Sequence, residues 1–266
     1  MRIVSLNAWG GRLYEDMLAW LREVQPDVLC LQEVIHVEGS PSDWLKYRDD
    51  GADLLQRANL LNEVAQALPG HQVIFCPAAR GDLWHGDRAV SSLWGLATYV
   101  RRDLTVVGQA QGFVHGNFSP DGFGPHPRSR TAHAVRFHDP EEGMFTVAHM
   151  HGLRDPMGKM DTPARAEQAR KLLSMVQGVT HAGDKVVVCG DFNVAPRATT
   201  FRLLAPVAPY ELVTTRGFEG TRTSHYTKDE KFADYMLVNG PLRDAAFDVV
   251  RDPEISDHCP LMLNTA

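Results

Sequence analysis

Short apolar runs alternate along the chain with longer segments in which apolar residues recur every three or four positions. The runs are rich in Val, Ile and Leu and are bounded by polar or turn-forming residues, which is typical of buried strands. This pattern predicts strands at residues 3–6, 28–31, 72–75, 93–100, 105–107, 131–137, 144–149, 185–189, 232–238, 246–250 and 259–263.

The longer periodic segments predict helices with one apolar face. The first covers residues 14–24 and stops before Pro26, and the second covers residues 53–68. Thr162 followed by Pro163 has the pattern of an N-cap with proline in the first turn, so a third helix begins there and ends at Gly178. A fourth, short helix is predicted near residues 199–204.

The order of these elements indicates the fold class. A strand, a helix and a strand open the chain, which favours an α/β fold, whereas the consecutive strands after residue 72 suggest antiparallel pairing. Residues 112–127 are rich in Gly, Pro and His, and are predicted to form a long loop. Aromatic residues make 81–85 and 112–123 candidate substrate-facing loops. No repeat or domain boundary is evident, so we expect one domain over residues 1–266.

Composition adds weak constraints. A hydrophobic content of 44% is sufficient for a large core, and the formal net charge is −6. This charge is not typical of proteins that bind duplex nucleic acid tightly and without sequence preference, and no segment interleaves basic with aromatic residues. Nucleic acid stays possible, because a local basic groove or a bound cation can act where net charge does not.

The four cysteines, Cys30, Cys76, Cys189 and Cys259, are far apart and form no C-x-x-C pair. Since three of them lie in or beside apolar segments, we expect buried free thiols and a reducing compartment. The N-terminus enters a strand pattern at once, without the features of a secretory signal. No apolar run approaches the ~20 residues that cross a bilayer, so we expect a cytoplasmic protein without a transmembrane segment.

Candidate chemistry begins with Gly190, Asp191 and Asn193, which directly follow an apolar run. Glycine permits a tight turn, and residues two apart in an extended segment share a side, so the carboxylate and the amide converge. Asp191 can accept a proton from water while Asn193 holds that water or a phosphate oxygen. An Asx-type turn explains the same pattern without any function.

Ser256, Asp257 and His258 precede another apolar run, and Asp234 stands inside an otherwise apolar strand. A buried carboxylate needs a partner, and His258 is the candidate, because an aspartate on the far ring nitrogen determines the tautomer. Alternatively, Asp234 caps backbone amides and His258 is an ordinary surface histidine.

His149 and His151 lie two residues apart on one predicted strand and therefore face the same side. This spacing is compatible with zinc, but no C-x-x-C or H-E-x-x-H pattern accompanies it. His151, nearer the strand end, is the better catalytic candidate, and a structural role is expected for His149.

Asn7 at the end of the first strand and Gln32-Glu33 after the second complete an ordered series with the motifs above. In this order the chain resembles the endonuclease/exonuclease/phosphatase superfamily. That group includes DNase I-like nucleases, abasic-site nucleases, neutral sphingomyelinases, inositol polyphosphate 5-phosphatases and deadenylases. The resemblance runs from residue 3 to about 263. It implies a DNase I-like, four-layer α/β/β/α sandwich of two mixed β-sheets flanked by helices.

The resemblance also implies a divalent-metal phosphoesterase site. Glu33 is similar to the principal Mg²⁺ ligand, with Asn7 and Asp257 beside it, and oxygen ligands of this kind suit that cation. Mn²⁺ is expected to substitute. Asp191 is similar to the residue that orients or deprotonates the attacking water, and Asn193 to the one that contacts the scissile phosphate.

The other implied roles concern charge on the phosphate. His258, paired with Asp234, would stabilise the transition state, and His151 would bind a phosphate oxygen or assist the leaving group. Arg130 lies where the family commonly has a phosphate-facing basic residue, although a salt bridge at the core edge explains it equally well.

The resemblance thus implies a Mg²⁺-dependent phosphoesterase that uses direct attack of water. A nucleic acid or nucleotide phosphodiester is the first choice of substrate, and a phospholipid headgroup or phosphorylated small molecule is the alternative. A catalytically inactive scaffold of the same fold is a further alternative. It is disfavoured because a degenerate member should lack metal ligands, whereas every position expected to carry a site residue is filled in this chain. No protein partner is implied.

Overall fold

Strands that are apolar on both faces must be covered on both sides, and this requirement produces a layered arrangement. The computed structural model describes residues 1–49 and 52–265. Their strands are β1 (Arg2–Asn7), β2 (Val28–His36), β3 (Trp44–Asp49), β4 (Ala52–Arg57), β5 (His71–His85), β6 (Arg88–Arg101), β7 (Thr105–His115), β8 (Arg130–Asp139), β9 (Gly143–His151), β10 (Lys185–Asp191), β11 (Tyr210–Glu211), β12 (Asp234–Val238), β13 (Ala246–Val249) and β14 (Leu261–Asn264). Their helices are α1 (Tyr14–Val24), α2 (Leu60–Ala67), α3 (Pro163–Val179) and α4 (Thr199–Leu204), with 3-10 turns at Trp9–Gly11 and Gly240–Leu242.

The strands form two mixed sheets. The first has the order β13-β14-β1-β2-β6-β5-β3-β4, and the second has the order β11-β12-β10-β9-β8-β7. Pairing is parallel between β1 and β2 and between β9 and β10, and antiparallel between the other neighbours. The predicted α/β sandwich of two mixed sheets with flanking helices is therefore confirmed.

Alternation of side chains along β1 shows how the layers are held. Val4 and Leu6 pack with Met17 of α1 and Leu60 of α2 on the outer side. Ile3 points the other way, into the core between the two sheets. Helix α3 begins as predicted, with the Thr162 side chain accepting a hydrogen bond from the Arg165 amide. None of the helices in the described ranges is long and apolar enough to span a membrane.

The predicted helix over residues 53–68 is wrong in its first half. Residues Ala52–Arg57 form β4, which pairs with the unpredicted strand β3 through contacts such as Leu54 with Tyr47. Leu55 lies on the exposed side of this hairpin and is 49% exposed. Its spacing from the other leucines fitted the apolar face of a helix. Strand pairing thus overrides the local pattern, and helix α2 begins only at Leu60.

The predicted loops at 81–85 and 112–127 are also shorter than expected. Residues 81–85 belong to β5, whose hairpin with β6 continues to the pair His85 and Arg88. Residues 112–115 belong to β7. The remaining segment 116–129 is tied to β5, because the Arg80 amide donates to the Ser119 carbonyl and the Phe123 amide donates to the Arg80 carbonyl. All four cysteines are buried free thiols, as predicted.

Asp184, just before β10, joins three elements of the second sheet. It is 3% exposed and accepts hydrogen bonds from Arg136 Nε at 2.8 Å, Thr146 Oγ1 at 3.2 Å and the His181 amide at 2.9 Å. Burial alone would raise its pKa, but these partners lower the pKa of Asp184 below its ordinary value.

Replacing Asp184 by asparagine is expected to reduce the free energy of unfolding by about 3 kcal/mol at pH 7, because Arg136 loses its charged partner. A lowered carboxyl pKa contributes stability above the unfolded-state pKa and loses it as the pH falls through the folded-state pKa. The difference between wild type and variant in chemical denaturation should therefore shrink below about pH 4. A difference that is constant with pH would contradict this assignment.

Candidate active site

The candidate residues meet at one end of the two sheets. Strands β1 and β2 run parallel, so Asn7 lies beside Gln32 where both approach the cleft. In the second sheet, Asp191 of β10 is paired with His151 of β9 on one side and with Asp234 of β12 on the other. Strand ends of both sheets thus carry the candidate side chains to one place.

A β-bulge directs Glu33 into this cleft. The register of β2 with β6 shifts between Leu31 and Val34, and Glu33 has a positive φ of 57°. The extra residue breaks the alternation of side chains, which is how bulges re-aim residues beside active sites. Gln32 therefore bonds His149 inside the sandwich while Glu33 accepts a hydrogen bond from Asn7 Nδ2 at 3.2 Å.

Asp191 lies at the centre of the cluster and is 2% exposed. Its Oδ2 accepts from the side-chain Nδ2 of Asn7 at 3.0 Å, and its Oδ1 accepts from the backbone N–H of Asn193 at 3.0 Å. The second contact is the Asx-type turn that the sequence allowed, and it coexists with a position in the cleft. Gly190 is required here, because its φ is +129° and a Cβ would lie 2.2 Å from the Met150 carbonyl oxygen.

Asn7 and Asn193 are both in the cluster, but their amides have partners. Asn7 Oδ1 accepts from the Trp9 amide at 3.0 Å, so Nδ2 faces the carboxylates of Glu33 and Asp191. Asn193 Nδ2 donates to the Gly152 carbonyl at 3.3 Å. In this arrangement Asn7 bridges two acids, and its role as a metal ligand stays a prediction.

Asp234 and His258 form a buried pair, the arrangement that the sequence suggested. Both carboxylate oxygens of Asp234 lie 2.8 Å from His258 Nδ1, and Thr221 Oγ1 donates to Asp234 Oδ2 at 2.8 Å. Burial raises the pKa of Asp234 to about 7 and lowers that of His258 to about 4. His258 Nε2 lies 3.9 Å from Asp191 and 3.8 Å from Asp257, so it faces the cluster.

His151 and Arg130 form the wall beside Trp94. His151 Nε2 lies 3.6 Å from Asp191 Oδ2, and burial together with nearby Arg130 lowers the pKa of His151. Arg130 Nε donates to the Gly152 carbonyl at 2.9 Å, whereas its buried Nη1 has no partner among the described residues. Burial lowers the pKa of Arg130 to about 10, and the nearby carboxylates of Glu33 and Asp191 act in the opposite direction.

His149, by contrast, lies in a polar layer between the sheets. Its Nδ1 is 3.1 Å from Gln32 Nε2, and its Nε2 is 2.8 Å from Thr98 Oγ1, which also contacts His133. Burial lowers the pKa of His149 and of His133, so both rings stay neutral at neutral pH. The structural role expected for His149 agrees with this position.

The donor set of the cluster fits a hard divalent cation. Asp257 Oδ1 is buried without a partner among the described residues, and burial and the neighbouring Asp257 charge raise the pKa of Glu33 to about 7. Crowded carboxylates of this kind are stabilised by a cation with oxygen preference. Asp191, Asp234 and His258 also offer ligand atoms within 4.8 Å of one another. We favour a hydrogen-bonded pair of Asp234 and His258 over a metal site here, because His258 and Thr221 already bond Asp234.

The cleft around these residues has a volume of about 580 Å³. Its lining includes residues that no sequence motif had indicated: Tyr47, Trp94, Arg128, Lys159, Arg222 and Tyr226. They come from separate hairpins and loops with no shared spacing, so a local pattern could not have found them. Phe123 belongs to the segment predicted as a substrate-facing loop, but Trp84 of the 81–85 segment is not part of the lining.

A model of the Endonuclease/Exonuclease/phosphatase family matches residues 4–258 of the chain. No curated protein matches the chain. Among solved structures, the chain is similar to a mannosyl-6-phosphatase of Bacteroides thetaiotaomicron, with 17% identity, a TM-score of 0.63, and coverage of 99% of this chain and 98% of that one. It is also similar to the human Nocturnin catalytic domain with bound sulfate, with 19% identity, a TM-score of 0.60, and coverage of 99% and 92%.

A third similar structure is truncated TDP2 of Caenorhabditis elegans, with 15% identity and a TM-score of 0.62. The alignment covers 98% of this chain and 95% of that one. At these identities the likeness shows a common fold, and the chemistry of the site must be argued from its own residues.

Proposed function

The chain belongs to the endonuclease/exonuclease/phosphatase family and is a phosphoester hydrolase, and from this premise we propose that Asp191 activates the water that attacks phosphorus. The observation that carries this proposal is the convergence of Asp191, Glu33, Asp257 and the Asp234–His258 pair in one cleft. Asp191 is held by Asn7 and by the Asn193 amide, so its carboxylate is oriented before a water arrives.

Each protein group has a distinct task in this proposal. Asp191 takes a proton from the attacking water. At the same time the water oxygen forms a bond to phosphorus, and the P–O bond to the leaving group breaks. His258 Nε2 faces the same space. The negative charges of Asp234 and of a phosphate bound there both favour the protonated ring of His258. The protonated ring then donates a hydrogen bond to a phosphate oxygen. Asn193, His151 and Arg130 are proposed to bind the phosphate oxygens and to assist the leaving group.

Glu33, Asp257 and Asn7 are the proposed residues for Mg²⁺, and Mn²⁺ is expected to substitute because both cations prefer oxygen ligands. When bound, the cation neutralises phosphate charge and acts as a Lewis acid. For Asn7 the ligand atom would be Oδ1, which has a second lone pair besides the one that accepts from the Trp9 backbone N–H.

A nucleotide or a nucleic acid phosphodiester is the substrate that we propose first. Trp94 is half-buried in the cleft wall, with its ring 5.3 Å from the His151 ring and 5.0 Å from the Arg130 guanidinium. An aromatic face beside phosphate-binding groups suits a base linked to a phosphate. A phosphorylated small molecule is the second candidate, because a cleft of about 580 Å³ also suits a compact ligand.

A panel of substrates tests the proposal. Purified protein with Mg²⁺ or Mn²⁺ should hydrolyse bis-p-nitrophenyl phosphate, and dinucleotides and single-stranded nucleic acid should be better substrates than duplex DNA, sphingomyelin or inositol phosphates. Faster hydrolysis of a sugar phosphate would favour the second candidate. Failure to hydrolyse any member of the panel would favour an inactive scaffold.

Replacing Trp94 by alanine is expected to raise KM for a dinucleotide by about tenfold, because one stacked base contributes roughly 1–3 kcal/mol. The value of kcat should fall by less than KM rises, since the ring contacts His151 and Arg130 but no reacting atom. Trp84→Ala is the matched control, because Trp84 lies in β5 and is not part of the cleft lining. Equal KM values for wild type and Trp94→Ala would exclude stacking at this position.

A further inference from the structure

Arg222 is a buried cation in a segment without regular helix or strand. Its backbone forms an antiparallel bridge with His258, and the Thr223 amide donates to the Asp257 carbonyl while the Cys259 amide donates to the Thr221 carbonyl. Residues directly opposite in an antiparallel bridge place their side chains on the same face. The Arg222 side chain, only 8% exposed, therefore lies on the same side as His258.

The guanidinium is held on two sides. Its Nη1 donates to Asp257 Oδ2 at 2.8 Å, and its carbon lies 4.3 Å from the centroid of the Tyr226 ring. Burial alone would lower the pKa of Arg222, but nearby Asp191, Asp234 and Asp257 raise it, so the group stays charged. The charged guanidinium of Arg222 thus lies beside the acids of the proposed reaction. It forms part of the cleft wall and leaves the cleft open.

Most of the hydrogen-bonding capacity of this guanidinium is unused. An arginine has five N–H donors, yet within the described residues the only hydrogen bond of the Arg222 side chain is the one to Asp257. Its Nε is buried and has no partner there. Leaving a buried charged donor unsatisfied is costly, so a purely structural arginine at this position would be expected to have more partners.

We propose that Arg222 is a further catalytic residue of this hydrolase, whose free N–H groups bind a non-bridging oxygen of the scissile phosphate. The inference rests on the proposed function, and it assigns the Asp257 contact and the Tyr226 ring to positioning the guanidinium. A planar guanidinium matches the geometry of phosphate oxygens, and its charge offsets the charge that grows on them during attack.

Two substitutions separate this role from simple charge balance. Arg222→Lys keeps the charge but loses the planar fork, and kcat is expected to fall by roughly 10²-fold. Arg222→Ala should lose at least as much, and millimolar guanidinium chloride should restore part of its activity. Arg216→Lys is the matched control, because Arg216 donates to the carbonyls of Ala245 and Arg243 outside the cleft.

Binding of inorganic phosphate gives a readout that does not depend on turnover. In the presence of Mg²⁺, calorimetry should show weaker phosphate binding to Arg222→Lys by about tenfold, with Mg²⁺ affinity unchanged or increased, since Asp257 is released. Unchanged phosphate affinity, or a loss of Mg²⁺ affinity that accounts for the loss of kcat, would overturn the proposal. Thermal unfolding of each variant verifies that it is folded.

Tyr226 provides a test of positioning. Tyr226→Phe keeps the ring below the guanidinium and should retain kcat, whereas Tyr226→Ala should lower kcat and phosphate affinity together. Equal activity of the two variants would contradict positioning by the ring. If the wild type hydrolyses no phosphate ester, the proposed function fails, and the phosphate titrations still decide whether Arg222 binds the anion.

Discussion

Replacing Glu33 by glutamine is expected to lower kcat by roughly 10²-fold or more, the size of effect found when one group that stabilises the transition state is removed. Mg²⁺ binding should weaken in parallel, because the variant lacks the carboxylate that faces Asn7 and lies near Asp257. Calorimetric titration with Mg²⁺ and steady-state kinetics on one substrate measure the two effects separately.

Glu38→Gln is the control, since Glu38 is an exposed carboxylate a few residues beyond β2. It should bind Mg²⁺ and turn over substrate like the wild type. Unchanged Mg²⁺ affinity in Glu33→Gln would remove Glu33 from the proposed ligands, whatever the effect on activity.

The backbone at Glu33 gives the same site a stability signature. Its φ of 57° is a conformation that glycine adopts freely and that costs other residues of the order of 1 kcal/mol. In the absence of metal, Glu33→Gly should therefore be at least as stable as Glu33→Ala in chemical denaturation. An alanine variant that is clearly the more stable of the two would contradict strain at the bulge.

Replacing Asp234 by asparagine is expected to lower kcat by about 10²-fold while Mg²⁺ affinity changes little. Asparagine occupies the same volume but cannot hold the charge that favours a protonated His258, whose Nδ1 lies 2.8 Å from both carboxylate oxygens. Kinetics and Mg²⁺ titration of one preparation are the decisive pair of measurements.

Equal loss of kcat and Mg²⁺ affinity in Asp234→Asn would mean that Asp234 is a metal ligand, which its distances to Asp191 and His258 permit. Two further variants sharpen the comparison. Thr221→Val removes the second hydrogen bond to Asp234 and should have a smaller effect in the same direction. Asp248→Asn, at an exposed position of β13, should have none.

The strands of the core were predictable because burial on both faces leaves continuous apolar runs such as residues 186–189, whatever their neighbours are. The hairpin of β3 and β4 was not predictable in this way. Leu54 and Leu55 follow one another in β4, and only pairing with β3 decides that they point to opposite sides of a strand.

The residues of the candidate site likewise include some that the sequence indicated and some that only the structure revealed. Asp191, Asp234 and His258 stand beside or within apolar runs, so the sequence indicated them as a group. Arg222 carried no such signal, and Trp94 was indicated only as part of a core strand. Arg222 lies 35 positions before Asp257 and meets it only through the bridge to His258.

The sequence by itself indicated an α/β fold, the buried thiols and the order of the motifs, because each depends on local apolar runs and on residues at the ends of strands. The two mixed sheets were expected only from the family resemblance that those motifs carry. Only the tertiary structure decided which side chains share the cleft. A bulge turns Glu33 into it, strand pairing brings Asp191 between His151 and Asp234, and a loop places Arg222 beside Asp257. Such encounters join residues far apart in the chain, and no local pattern encodes the distance between them.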